Sequence, residues 1–348
     1  MDASKPVLVH CGDLMVGTLM FNQYFGVPEF QILNQLGFDA FLLGNHEFDV
    51  GAAQLGEILK SARLDSHLKI LCSNLRNLNG VAPLDSLVHS HLILKRGHLQ
   101  IGLFGLTTPN ANLESNPAPL FIDTSLVVVA QREIKSLKEA GCQVIIMLSH
   151  LGLPLDRQLA TFLSGVDAIV GGHSHDVLKQ PLVINGIPVV QAGEFYRYVG
   201  RLRLLYDGRH TQVLDYKLKE IDETVPEVPG IAEEISRLKS GVVSAYSELL
   251  GHPYHPLARN RKHLSHQPQF PEHLQSSAGR LVTAALHAYV PEADCALEPA
   301  GHIVEDLYPG EVTPADLFRI YPYGFSPNDH LGFRIATLQL RGKELVGV

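Results

Sequence analysis

From Val7 to about Asp222, short apolar runs of strand length alternate with stretches whose apolar residues recur at helical spacing. Val7 to His10, Ala40 to Leu43, Ile70 to Cys72, Val144 to Leu148 and Ala168 to Val170 read as strands. Pro28 to Leu36, Ala52 to Ala62, Ser125 to Ala140 and Leu155 to Leu163 read as helices. The first of these carries Pro in its opening turn and Gly37 just past its end. His91 to Thr107 reads as a hairpin, and Leu182 to Leu218 as antiparallel strands turning at Asn185-Gly186 and Asp207-Gly208. This order predicts an α/β layered domain whose sheets begin parallel and end antiparallel.

After it the pattern changes. Glu220 to Pro229 is acidic and broken by prolines, Ile231 to Leu250 reads as a long connecting helix, and Gly251 to Pro271 is rich in His, Pro and Arg. A second domain is expected from near Glu272, with a helix over Leu274 to Tyr289 and short strands up to Val348. The expected division is 1–222, 223–271 as linker helix and loop, and 272–348 as an incomplete α+β domain. A chain of 348 residues has room for two domains.

Composition narrows the partners. Hydrophobic residues make up 45% and charged residues 18%, which suits a packed core and excludes wholesale disorder. The net charge of -8 argues against a nucleic-acid partner, which selects basic faces. It does not exclude an anionic substrate, because a bound metal reverses the field inside a pocket. Cys11, Cys72, Cys142 and Cys295 are scattered and read as free thiols. No signal-peptide pattern follows Met1 and no apolar run is long enough to span a membrane. The expectation is a cytoplasmic protein if Met1 is the start, and a periplasmic or secreted one if the true start lies upstream. Nothing in the sequence indicates an oligomeric state.

Four apolar strands lead into groups that can bind a metal. Val7 to His10 leads to Gly12-Asp13, Phe41 to Leu43 to Gly44-Asn45-His46-Glu47-Phe48-Asp49, Ile145 to Leu148 to Ser149-His150, and Ala168 to Val170 to Gly172-His173-Ser174-His175. In open α/β sheets, sites form beyond the carboxyl ends of the strands. Carboxylate, amide oxygen and imidazole together suit Zn, Mn, Fe or Co. Taken singly, each piece has a plain explanation: a Gly-Asp turn, a left-handed Asn, a satisfied histidine. Their joint occurrence, each at a strand end, points to one pocket.

With Gly17-Thr18 and Gly51 added, these strings resemble the calcineurin-like metallophosphoesterases, and within them the 5'-nucleotidase, UDP-sugar hydrolase and 2',3'-cyclic phosphodiesterase group. The resemblance implies an α/β/β/α metallophosphoesterase domain and two divalent ions. Asp13 would bridge them, Asn45, His150 and His173 would complete one site, and His175 would serve the other. His46 would sit beside the phosphate, oriented by Asp49, to stabilise the transition state or protonate the leaving oxygen. The implied substrate is a small phosphate ester, a nucleotide above all.

Two parts of the family pattern are missing. No Asp-x-His precedes Asp13, and His10 lies inside the strand that leads to it. The metal that His175 serves would then keep only Asp13 and His175. The Asn-x-Gly-Gly-x-Arg substrate motif is matched by Glu298 to Val304, where Val304 stands near the place of the Arg and His302 is the one residue able to meet an anion. The following Gly310-Glu311-Val312-Thr313 and Tyr321-Pro322-Tyr323 fit the family. Two other readings therefore stay open: a phosphodiesterase or phosphatase on a non-nucleotide substrate, and a degenerate binding protein or truncated product. His252, His255, His263 and His266 form a further cluster, read mainly as a solvated loop.

Overall fold

In the strand Val144–His150, successive side chains face opposite ways, as a period of two requires. Ile145 and Met147 enter one apolar cluster, and Ile146 and Leu148 enter another. The first cluster takes Val129, Ala130, Ile134 and Leu137 from the helix Leu126–Glu139, and Leu159 and Ala160 from Leu153–Ala160. The second takes Ala40, Leu42 and Leu71, which belong to a different sheet. The strand thus lies between a helical layer and a second sheet. Phe41 faces away from that sheet pair and meets Phe30 of the helix Val27–Gln35 edge-on, ring centroids 5.0 Å apart. The layers are helix, sheet, sheet and helix, as the resemblance implied. The computed structural model describes residues 5–78, 80–267, 275–322 and 334–345.

The first sheet is parallel throughout, in the order Val9–His10, Ala40–Leu42, Lys69–Leu71, Val88–His89. The second has six strands: Leu182–Ile184, Ile187–Gln191, Ala168–Gly171, Val144–His150, Leu99–Thr107 and His91–Arg96. Its inner four are parallel and each edge strand is antiparallel to its neighbour. Parallel neighbours bring their carboxyl ends to one side, and that is where the polar strand ends gather.

The chain divides into two compact units. One runs up to Met15 and from Gly26 to Glu227; the other joins Val16–Phe25 to everything from Val228 on. In the second unit the helix Pro229–Leu250, read from sequence as a connector, buries Leu238, Val242 and Tyr246. Val242 and Tyr246 share a cluster with Leu19 and Phe318. The helix Leu19–Tyr24 in this unit was not foreseen; six residues are too few to show a period, and only its cap, Thr18 accepting from the Phe21 N–H, marks it. A second cluster gathers Ala278, Ile303, Leu307, Val312 and Ile320. The helix foreseen from Leu274 is described over Ser277–Tyr289; Leu274, Tyr323 and Val348 lie outside the described residues. No helix among the described residues is long and apolar enough to cross a membrane.

Candidate active site

Strand ends deliver the ligands. Asp13 follows Val9–His10, Asn45 and His46 follow Ala40–Leu42, and His173 and His175 follow Ala168–Gly171. His150 is itself a strand residue: the strand runs past Leu148 because Ser149 and His150 pair with Leu106 and Thr107. The ligand atoms of Asp13, His150 and His173 lie within 4.8 Å of one another. His150 Nε2 is 2.9 Å from Asp13 Oδ2 and 3.2 Å from Asn45 Oδ1, and the His150 and His173 rings are 5.0 Å apart. His150 Nδ1 bonds the Cys11 carbonyl, which leaves Nε2 to face the carboxylate and the amide oxygen.

His46 is joined to the same centre. Its backbone N–H donates to Asp13 Oδ1 at 3.0 Å, and its Nδ1 is 2.6 Å from Asp49 Oδ2. The structure thus brings Asp13, Asn45, His150 and His173 together and sets the His46–Asp49 pair beside them. His175 stands outside the tight group, with its Nδ1 2.5 Å from Glu194 Oε2. His302 belongs to the second unit, where its Nδ1 is 2.5 Å from Glu298 Oε1. Of the loop histidines, His252 stacks on His255, whereas His263 and His266 share the carboxylate of Asp306 at 2.7 and 2.6 Å.

The ligand loops are held in unusual backbone conformations. Asp13, His173 and His175 all have left-handed φ, at 59°, 72° and 60°. Such residues persist only where their surroundings fix them, and they collect at active sites. Asp13 is fixed by Glu47, a fully buried carboxylate that accepts the N–H groups of Asp13, Leu14, Met15 and Gly44 at 2.9, 2.7, 3.2 and 2.6 Å. The His173 loop is fixed by Gln191, whose Oε1 accepts the Asp176 N–H and whose Nε2 donates to the Gly172 carbonyl at 3.1 Å. Gly12, at φ +94°, lets the two loops touch: a Cβ there would lie 2.6 Å from Gly44 N and 2.7 Å from His150 Nδ1.

Burial and mutual charge set the protonation. Burial opposes ionisation of Asp13, yet the His150 and His46 imidazoles hold its carboxyl well below the usual range. Burial disfavours a charged His150, but the adjoining Asp13 outweighs it and raises the imidazole. Burial likewise disfavours a charged His46; the Asp49 hydrogen bond with the Asp13, Asp49 and Glu47 charges lifts it to about 9. His173 falls to about 4 through burial and the neighbouring His150. Burial and the Asp13 charge push Glu47 up to about 7, against its backbone donors.

A family model described as calcineurin-like phosphoesterase matches residues 3–177. The chain belongs to that family. Among characterised relatives, the trifunctional nucleotide phosphoesterase YfkN of Bacillus subtilis (strain 168) is 24% identical over 359 residues, covering 93% of this chain and 24% of YfkN. The human 5'-nucleotidase is 29% identical over 266 residues, covering 70% of this chain and 46% of that enzyme. The solved 5'-nucleotidase precursor from Thermus thermophilus superposes with a TM-score of 0.78 at 29% identity, covering 92% of this chain and 65% of that one. The chain thus spans less than half the length of these two curated relatives.

The calcineurin-like phosphoesterase family implies divalent metals. The donors present fit such ions: one carboxylate, one amide oxygen and two imidazoles converge, with His150 already turned so that Nε2 faces the group. Sequence reasoning missed Glu47, Gln191 and Glu194. Glu47 stood inside the quoted string without a role; Gln191 and Glu194 sit at the end of an apolar strand and carry no local signal.

Proposed function

We propose that this phosphoesterase hydrolyses phosphomonoesters of nucleotides at the centre formed by Asp13, Asn45, His150, His173 and His46, with residues 1–222 carrying the chemistry and 272–348 serving as a substrate domain. One observation carries this: a converged carboxylate, amide and imidazole set with a carboxylate-held histidine bonded directly to it. Asp13, Asn45, His150 and His173 would hold one ion, and Asp13 with His175 would face a second. Divalent ions there would acidify a coordinated water and draw charge from the phosphoryl oxygens. His46, held through Nδ1 by Asp49, presents Nε2 for a phosphoryl oxygen or for proton delivery to the leaving oxygen. Nucleotides are favoured by the named activities of the human and Thermus relatives.

Chelation is expected to abolish hydrolysis of a nucleoside 5'-phosphate, and Mn or Co to restore it. Calorimetric titration checks the cause: if no divalent ion binds more tightly than roughly millimolar, the reading fails. A second reading, a phosphodiesterase or a phosphatase on another ester, draws on Val304 near the place of the family's arginine. Comparing p-nitrophenyl phosphate, its bis-ester and a nucleoside 5'-phosphate separates these. His302 remains our substrate-binding residue; His302→Ala is expected to raise KM about tenfold with kcat little changed, the pattern of lost uniform binding.

A further inference from the structure

We infer that Glu194 is the positioning residue for His175, holding its Nδ1 so that Nε2 is presented to the second ion; the assignment rests on the metal-centre reading above. The site uses the same device twice already. His150 has Nδ1 on the Cys11 carbonyl and His46 has Nδ1 on Asp49. In each case the engaged nitrogen fixes the ring and leaves Nε2 for another partner, and His150 Nε2 faces Asp13 and Asn45. Histidine ligands of metals nearly always hand their second nitrogen to a carboxylate or carbonyl in this way. His175 is the third instance, with Nδ1 2.5 Å from Glu194 Oε2.

Glu194 is more shielded than the residue it holds. Its side chain is 18% exposed and that of His175 is 47%. The Oε2 atom is buried and makes no hydrogen bond of good geometry among the described residues, and His175 Nδ1 lies 2.5 Å from it. A carboxylate oxygen withdrawn from water needs a compensating partner, and the His175 Nδ1 atom is the polar group placed against it.

The backbone around Glu194 is built to grip the ligand loop. The Gly193 N–H donates to the Asp176 carbonyl at 3.0 Å. Gln191, three residues before Glu194, clamps Gly172 and Asp176. Two residues after Glu194, the Tyr196 hydroxyl bonds His10 Nε2 at 2.9 Å. Phe195 and Tyr196 are both left-handed, at φ 51° and 55°, a conformation that nonglycine residues keep only when held. Direct ligation by Glu194 is the other role open to a carboxylate here. The Glu194→Gln variant below separates it from positioning.

Calorimetric titration of the full chain with Mn tests this, with the visible absorption of bound Co as a second readout. Wild type is expected to show two binding events. Glu194→Ala should weaken the looser one about 10- to 100-fold and leave the tighter one unchanged. Glu194→Gln keeps an oxygen for the Nδ1–H and should stay within about threefold of wild type. Unchanged binding in Glu194→Ala overturns the assignment. So does a Glu194→Gln as damaging as Glu194→Ala, which would make Glu194 a ligand through its charge. Loss of the tighter event together with a lowered Tm in both variants would make its role general support of the fold. A wild-type chain that binds no divalent ion would overturn the metal-centre reading itself, and that result appears before any substitution is made.

Discussion

His46→Ala is expected to lower kcat about 10²- to 10⁴-fold, the range for removing a positioned acid. Binding of the metal ions should be nearly unchanged, because the His46 side chain is not among the donors that converge on Asp13. The size of the loss should depend on the leaving group. A nucleoside alkoxide is a poor leaving group and needs a proton; p-nitrophenolate hardly does. If His46 acts as the acid, the loss is large on a nucleoside 5'-phosphate and small on p-nitrophenyl phosphate. Equal losses on both would mean that His46 stabilises phosphoryl charge instead. The hydrogen bond and charge of Asp49, with the charges of Asp13 and Glu47, lift this imidazole to about 9, so it is protonated at neutral pH in the metal-free chain. Asp49→Asn removes one negative charge and weakens the hydrogen bond, so the His46 pKa should fall, which NMR titration of the ring protons would follow. Activity in His46→Ala close to wild type on both esters would place the chemistry elsewhere.

What the sequence made legible was whatever repeats with a period or sits at a strand end. Ala52–Ala62 and the hairpin from His91 to Thr107 have the limits expected from sequence because apolar spacing and turn glycines mark them. Asp13, Asn45, His150 and His173 were legible because four apolar runs each stopped at a metal-capable residue. The strand through Ser149 and His150 extends two residues past its expected end, since polar side chains end the apolar pattern while the backbone continues its pairing with Leu106 and Thr107. Glu47, Gln191 and Glu194 were illegible for a different reason. They act on the backbone or rings of residues far along the chain, as Glu47 does on Leu14, thirty-three residues away. No periodicity records which distant N–H a buried side chain accepts.

Glu47→Ala should have the largest effect on stability. The carboxylate is 0% exposed and accepts four backbone N–H groups from two loops. Without it these donors lose their acceptor. An unsatisfied buried donor costs about 1–3 kcal/mol, but the four are close enough to share a new partner or a water, so the costs do not add. A total of about 3–5 kcal/mol is reasonable for breaking a buried charged network. For a unit of this size that lowers Tm by roughly 6–20 °C. The loss should carry a specific signature as well. Asp13 sits at φ 59° because its own N–H and the next two point at Glu47. Released, the loop relaxes toward ordinary backbone angles and swings the carboxylate away from His150 and Asn45. The tighter metal event should therefore weaken at temperatures where the variant is still fully folded. Glu47→Gln discriminates further: it keeps one oxygen, but its amide nitrogen must face N–H donors, so it should fall between wild type and Glu47→Ala in both Tm and metal affinity. A Glu47→Ala protein that melts like wild type and binds the first ion normally would show that the two loops hold their shape through main-chain packing at Gly12 and Gly44 alone.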